Sequence, residues 1–267
     1  MTRRTHCSED ASAAPAIAGA AGRYRETLPA AGLRRHFQCV WTSELAAGQT
    51  ADVAVLPDGC VDVLWRDGAL RVVGPDVTAA HPVLAPGARV LGARFRAGAA
   101  QACLGAPMSE LVGREVALED LWGPRARGFE RRMQDAGSAR DQQRVFQEGL
   151  ALAHADVEPP DARAAELFRL CSEPGAEAAL TARIRDGLEM SERSLRRLSH
   201  AHFGYGAKTL ERIMRLQYFL ALARQSPAAG LAALAAAAHY ADQAHLTREV
   251  QALCGMTPAA LRLRLQG

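Results

Sequence analysis

The sequence predicts an α+β protein in two parts. An N-terminal β-barrel or jelly-roll-like domain with appended helices precedes an all-α domain of two helix-turn-helix motifs joined by a long helix. Three observations lead there. Up to Phe95 apolar residues recur with a period of two between turn signals; beyond Gly98 the period lengthens to that of helices; and beyond Pro160 a short apolar helix, a turn and a polar-faced helix occur twice. A chain of 267 residues, 49% hydrophobic and 23% charged, can bury two cores without disulfides.

The opening stretch, MTRRTHCSEDASAAPAIAGAAG, lacks the bulky apolar run of an export signal, and Glu9 and Asp10 interrupt it. Residues 1–25 are therefore expected to be a disordered tail and the protein cytoplasmic. No run approaches a membrane span. The six cysteines show no CxxC pair and should stay reduced.

Strand grammar follows in RHFQCVW, ADVAVLPDGCVDVLW, LRVVGPDV and VLGARFRAG. Asp67-Gly68 between two such runs is a hairpin signal. Val61, Val63 and Trp65 alternate with Asp62 and Leu64, and Leu91, Ala93 and Phe95 with Arg94 and Arg96, which suits antiparallel strands with one better-buried face. From Gly98 to Trp122 and from Arg125 to His154 the pattern is helical. Pro159-Pro160 breaks it, which divides the chain into a domain over 26–158 and another over 161–267.

In the second part Asp161 is placed to cap ARAAELFRLC, a short helix is expected over Ala178 to Leu188, and Ser191 is placed to cap RSLRRLSHAHF, which Gly204 and Gly206 end. Leu210, Ile213, Met214, Leu220 and Ala223 form one stripe of a long helix from Lys208 to Arg224. Leu231 to Ala238 is a short helix, Asp242 caps another from Gln243 to Leu253, and Thr257-Pro258 opens the last. The net charge of +3 is unevenly spread: residues 163–267 carry 14 basic against 9 acidic side chains, residues 1–162 carry 18 against 20.

Leu234, Ala235, Tyr240, Asp242, Gly255, Thr257 and Pro258 reproduce the second motif of the AraC-type transcriptional regulators, which this sequence resembles from Asp161 to its end. VLPDGCVDVLW, RVVGPDV, ARFRAGAA and LEDLWG give the N-terminal half the look of a sensor-type domain that precedes such units. The resemblance implies a sequence-specific, ligand-responsive regulator that binds double-stranded DNA at two successive major-groove segments and responds to a small-molecule effector. It also implies a homodimer formed through helices between about Arg125 and Ala155, with no cofactor and no metal. Three positions depart from the family pattern. Glu189 and His239 stand where a turn glycine is usual, which would place non-glycine residues at positive φ, and Val250 replaces an aromatic.

The resemblance puts Arg193, Arg196 and Arg197 on the groove face of the first recognition helix, and Gln243, His245 and Arg248 on the second. Spacings of three and four residues agree with one face, and Arg and Gln read guanine and adenine edges bidentately. Lys208, Arg212, Arg215 and Thr247 are the expected phosphate contacts. A solvated basic face is the alternative. Trp41, Cys60, Val63, Trp65, Arg94 and Arg96 are the candidate effector pocket. Cys39, Cys60 and Cys103 leave a thiol sensor open, and a rival reading makes the protein an enzyme or small-molecule binder using Cys60, with the helical half as an interaction module.

Overall fold

The computed structural model describes residues 16–17, 22–48, 51–173, 184 and 187–265. Among the described residues nine strands form two sheets. A six-stranded antiparallel sheet runs β2 (Arg23–Thr27), β3 (Phe37–Glu44), β8 (Arg89–Phe95), β5 (Asp62–Arg66), β6 (Ala69–Val73) and β9 (Glu115–Ala117). A smaller sheet orders β1 (Ala16–Ile17), β4 (Ala51–Ala54) and β7 (Val83–Leu84). These are two packed open sheets, as a jelly-roll-like arrangement requires, and not a closed barrel.

The Asp67-Gly68 hairpin forms as its sequence indicates. Both residues have positive φ, 53° and 76°, the geometry of a two-residue type I′ turn. The alternation then assigns faces. Val63 and Trp65 of β5, Leu70 and Val72 of β6 and Leu91, Ala93 and Phe95 of β8 pack against helices on one side. Leu64 and Val90, with Trp41 at their edge, pack against Val53 and Leu84 of the small sheet on the other. Trp41 crosses Gly92 so closely that a Cβ there would lie 2.3 Å from its Cε2, so only glycine fits that strand position.

Two expectations need correction. Glu115–Ala117, expected within a helical stretch, is an edge strand, because Val116 and its neighbours pair with Val72 and close the sheet beside β6. In the segment expected to be a tail, Ala16–Ile17 pairs with β4, and Arg23–Thr27 pairs with β3 along its whole length. The rest of residues 1–21 lies outside the described residues.

The helical layer under the large sheet comprises α1 (Ala100–Leu104), α2 (Leu118–Trp122), α3 (Pro124–Gln134) and α4 (Ala139–Ala153). Ser138 caps α4 by accepting from Asp141 N. Phe129, Met133, Phe146 and Leu150 of α3 and α4 are buried against the sheet residues.

After Pro159-Pro160 come α5 (Ala162–Ser172), α6 (Glu192–Phe203), α7 (Ala207–Gln225), α8 (Leu231–Ala237), α9 (Gln243–Cys254) and α10 (Pro258–Leu265). The helix expected over Ala178 to Leu188 falls mostly outside the described residues; Ile184, Gly187 and Leu188 are helical. Asp161, Ser191 and Asp242 each accept a backbone N–H as N-caps, Thr257 Oγ1 accepts from Ala260 N, and Gly204 and Gly255 close α6 and α9 in the left-handed conformation. Leu210, Ile213, Leu216, Phe219 and Leu220 of α7 join Leu234, Leu246 and Val250 in one core. Among the described residues no helix is long and apolar enough to cross a membrane.

The two halves touch through named bonds. Gln217 Nε2 on α7 donates to Pro57 O at 2.7 Å, Ala79 N donates to Leu253 O of α9 at 2.8 Å, and His202 Nδ1 of α6 lies 3.2 Å from Gly98 O. Gly59, at φ 74°, leaves room for Leu210, Met214 and Phe168, each 3.2 Å from where its Cβ would be.

Candidate nucleic-acid interface

Each motif presents its second helix the same way. Ser191 fixes the start of α6, and a stripe of Leu195, Leu198 and Phe203 turns inward. The opposite face leaves Arg193, Arg196 and Arg197 exposed. Asp242 does the same for α9: Leu246, Val250 and Leu253 are buried, and Gln243 and Arg248 are exposed. The turns preceding them hold Glu189 at φ 47° and His239 at φ 60°, as the missing glycines imply. His239 is stacked on Tyr218, with ring centroids 6.2 Å apart.

His245 is more constrained than its neighbours. Its Nδ1 accepts from Ala241 N at 3.3 Å, and its ring meets Tyr240 edge-on at 5.4 Å. An accepting Nδ1 puts the proton of the neutral ring on Nε2, so His245 has one donor left to offer and a position fixed by the turn.

The four expected phosphate contacts separate. Lys208 is exposed at the first turn of α7. Arg212 is tied to Glu249 of α9, with Nε to Oε2 at 2.7 Å and Nη2 to Oε1 at 3.2 Å. Arg215 is buried, pairs with Glu211 one turn earlier and lies over the Tyr240 ring, 5.6 Å from its centroid. It cannot reach a phosphate without breaking that buried pair, which costs several kcal/mol. Thr247 spends its hydroxyl proton on Gln243 O at 2.9 Å. Arg212, Arg215 and Thr247 are thus each engaged within the protein in this structure. Arg212 and Arg215 anchor α9 and its preceding turn to α7, and Glu249, Glu211 and Tyr240 are the partners that the sequence reading missed. The Glu211–Arg215 spacing of four was a readable signal; the Arg212–Glu249 pair, 37 residues apart, was not.

The six residues of the expected effector pocket do not line one cavity. Val63 and Trp65 face the helical layer, and Trp41 faces the small sheet. Arg94 lies 3.3 Å from both Asp58 and Asp62, and Trp41 Nε1 is 3.5 Å from Asp62. Burial opposes the charge on Arg94, but the two carboxylates outweigh it and raise its pKa. Cys60 and Arg96 border a narrow crevice against Phe168, His202 and Phe203 of the helical half, and Arg96 Nε donates to Arg34 O at 2.6 Å.

Burial holds Cys39, Cys60 and Cys103 in the thiol form. Burial raises the Cys39 thiol to about 11 and Cys103 to about 12, and burial together with Asp58 pushes Cys60 well above its usual range. Thiolate is the reactive form, so neither the thiol-sensor reading nor the Cys60 enzyme reading finds an activated group here. Among the described residues no cluster of three His, Cys, Asp or Glu side chains is placed to hold a metal.

Residues 186–264 match a family described as a helix-turn-helix domain, of AraC type. The C-terminal part of the chain carries an AraC-type helix-turn-helix domain. Residues 25–117 match a second family, described as a domain of unknown function (DUF6597). No curated protein matches the chain. Among known structures it is similar to ToxT from Vibrio cholerae O395, at 10% identity over 85% of this chain and 97% of that one, with a TM-score of 0.43. A P21 crystal form of ToxT at 1.65 Å gives 10% identity over 87% and 100%, with a TM-score of 0.43. Wild-type ToxT from strain SCE256, described as bound to unsaturated fatty acid, gives 11% identity over 87% and 96%, with a TM-score of 0.41.

Proposed function

We propose that this AraC-type regulator reads two successive major-groove segments, α6 with Arg193, Arg196 and Arg197 and α9 with Gln243, Arg248 and the Nε2–H of His245, while Lys208 meets phosphate. The observation that carries the reading is the pairing of two capped, polar-faced helices across one continuous rod. The 19 residues of α7 span about 28 Å, comparable with the roughly 34 Å between groove segments on one side of a duplex. The division at 158–161 makes residues 26–158 the effector-sensing part, and a homodimer forms through the mixed-charge outer face of α4. Electrophoretic mobility shift over a salt series tests it: specific affinity should fall steeply with salt, and footprinting should protect two adjacent segments on one face. Protection of a single segment would refute the two-groove reading.

A further inference from the structure

We propose that the groove between α3 and α4 is a binding site for a small aromatic carboxylate. The proposal rests on the ligand-responsive part of the reading above and locates its site away from the sheets. The groove opens to solvent and encloses about 250 Å³, a little under the range for drug-sized ligands, which suits a single ring with a short acid chain.

Its walls are apolar and its charges have one sign. Trp122 supplies the aromatic surface, the almost fully buried Phe129 backs the lining, and Leu152, 70% exposed, stands at the rim. Arg125 lies over the Trp122 ring at 5.4 Å and Arg132 over Phe129 at 5.8 Å. No carboxylate lines the groove. Among the described residues neither arginine has an ion-pair partner, whereas Arg127 and Arg144 on the same two helices are paired with Glu119 and with Asp141 and Glu148. The nearby Glu130 is spent on Leu70 N at 2.9 Å. Arg125 also donates through Nη2 to Leu152 O at 3.2 Å, which leaves its other N–H groups to the groove; two guanidiniums over aromatic rings, without counter-charge, complement an anion carrying a ring. A second copy of this chain laid across the groove would bring like charges together instead.

The glycines point the same way. A glycine inside a helix is destabilising relative to alanine. At Gly149 packing explains it, since a Cβ would lie 2.2 Å from the Phe129 ring. At Gly128, which also lines the groove, no atom lies within 4 Å of a built Cβ. What a side chain there would occupy is the groove itself.

The test uses the full chain and calorimetric titration with 3-phenylpropionate, its uncharged isostere 3-phenylpropanamide, and the variants Arg125→Gln/Arg132→Gln and Gly128→Leu. The acid should bind saturably and the amide about tenfold or more weaker, as expected for loss of charge-assisted bonds. The double variant should lose the same factor. Gly128→Leu should abolish binding while melting no lower than the parent. Equal binding of acid and amide, or unchanged affinity in both variants, overturns the proposal, as does sedimentation showing that the same variants dissociate a dimer. DNA affinity measured in parallel separates the two readings. A groove that binds the acid without altering DNA affinity keeps the site and refutes ligand response; DNA affinity that responds to the acid in Gly128→Leu refutes the site alone.

Discussion

Arg212 of the rod grips Glu249 of the second recognition helix at two points, 2.7 and 3.2 Å. With side-chain exposures of 32% and 18%, the pair is sheltered enough to fix the roll of α9 against α7. Arg212→Ala should destabilise the fold by about 1 to 2 kcal/mol after allowance for solvent screening. It should blur sequence preference at the second groove segment and leave the salt dependence of binding unchanged. Denaturant melts and a salt series on random DNA check this; a slope shallower by about one unit would make Arg212 a phosphate contact after all.

Arg197→Ala and Arg248→Ala should behave differently, because both side chains are exposed on the groove faces. Each is expected to cost about 1 to 3 kcal/mol on the preferred site and relax selection at one base pair. Lys208→Ala should weaken specific and random DNA alike. Binding-site selection with each variant would show it, and uniform losses in all three would misplace the recognition helices.

Glu189→Gly should stabilise the protein by a few tenths to about 1 kcal/mol, since it relieves a left-handed residue at φ 47° against the entropy that glycine adds to the unfolded chain. His239→Gly should gain less, because it also forfeits the stack on Tyr218. Thermal melts of the two variants side by side rank them; the reverse order would mean that the stack contributes nothing.

His154 should make the N-terminal half sensitive to acid. Its Nδ1–H donates to Leu150 O at 2.7 Å, and its ring is packed against Phe37, Phe95 and Trp122. Burial holds its pKa down to about 4, against 6.5 for the free side chain. The stability this contributes is fully present above pH 6.5 and is lost as pH falls through 4, amounting to about 2 to 3 kcal/mol. His154→Phe should reduce the change of melting temperature over that window, leaving the slopes of the other shifted groups, among them His36 and His202, whose pKa values burial lowers, and Asp76, whose pKa burial raises to about 6. An unchanged profile would remove His154 as the source.

Much of this was legible because it is local. Caps at Asp161, Ser191, Asp242 and Thr257, the Asp67-Gly68 turn and the two left-handed substitutions are each decided within a few residues, so the sequence carries their cause. The parity of β5 likewise separates Val63 and Trp65 from Leu64, and it is this parity that puts the residues of the expected pocket on opposite faces of the sheet. Arg215 was hidden for another reason. A charged residue on a long helix defaults to solvent, and only the approach of Tyr240 from a later turn makes its burial tolerable. The strand at Glu115–Ala117 depended on an edge of β6 being vacant, which no local pattern announces.

The bonds from Gln217 to Pro57 and from Ala79 to Leu253 bear on how freely this regulator could be recombined. Its matched C-terminal segment, 186–264, is not a cartridge with a blank back. A transplant that carried those residues onto another N-terminal partner would leave the Gln217 amide and the Leu253 carbonyl without the loops that meet them, and would uncover Leu210 and Met214 where Gly59 now lies. A workable seam has to be drawn through the contact surface in three dimensions, taking loops 57–60 and 77–80 along with the helices they touch.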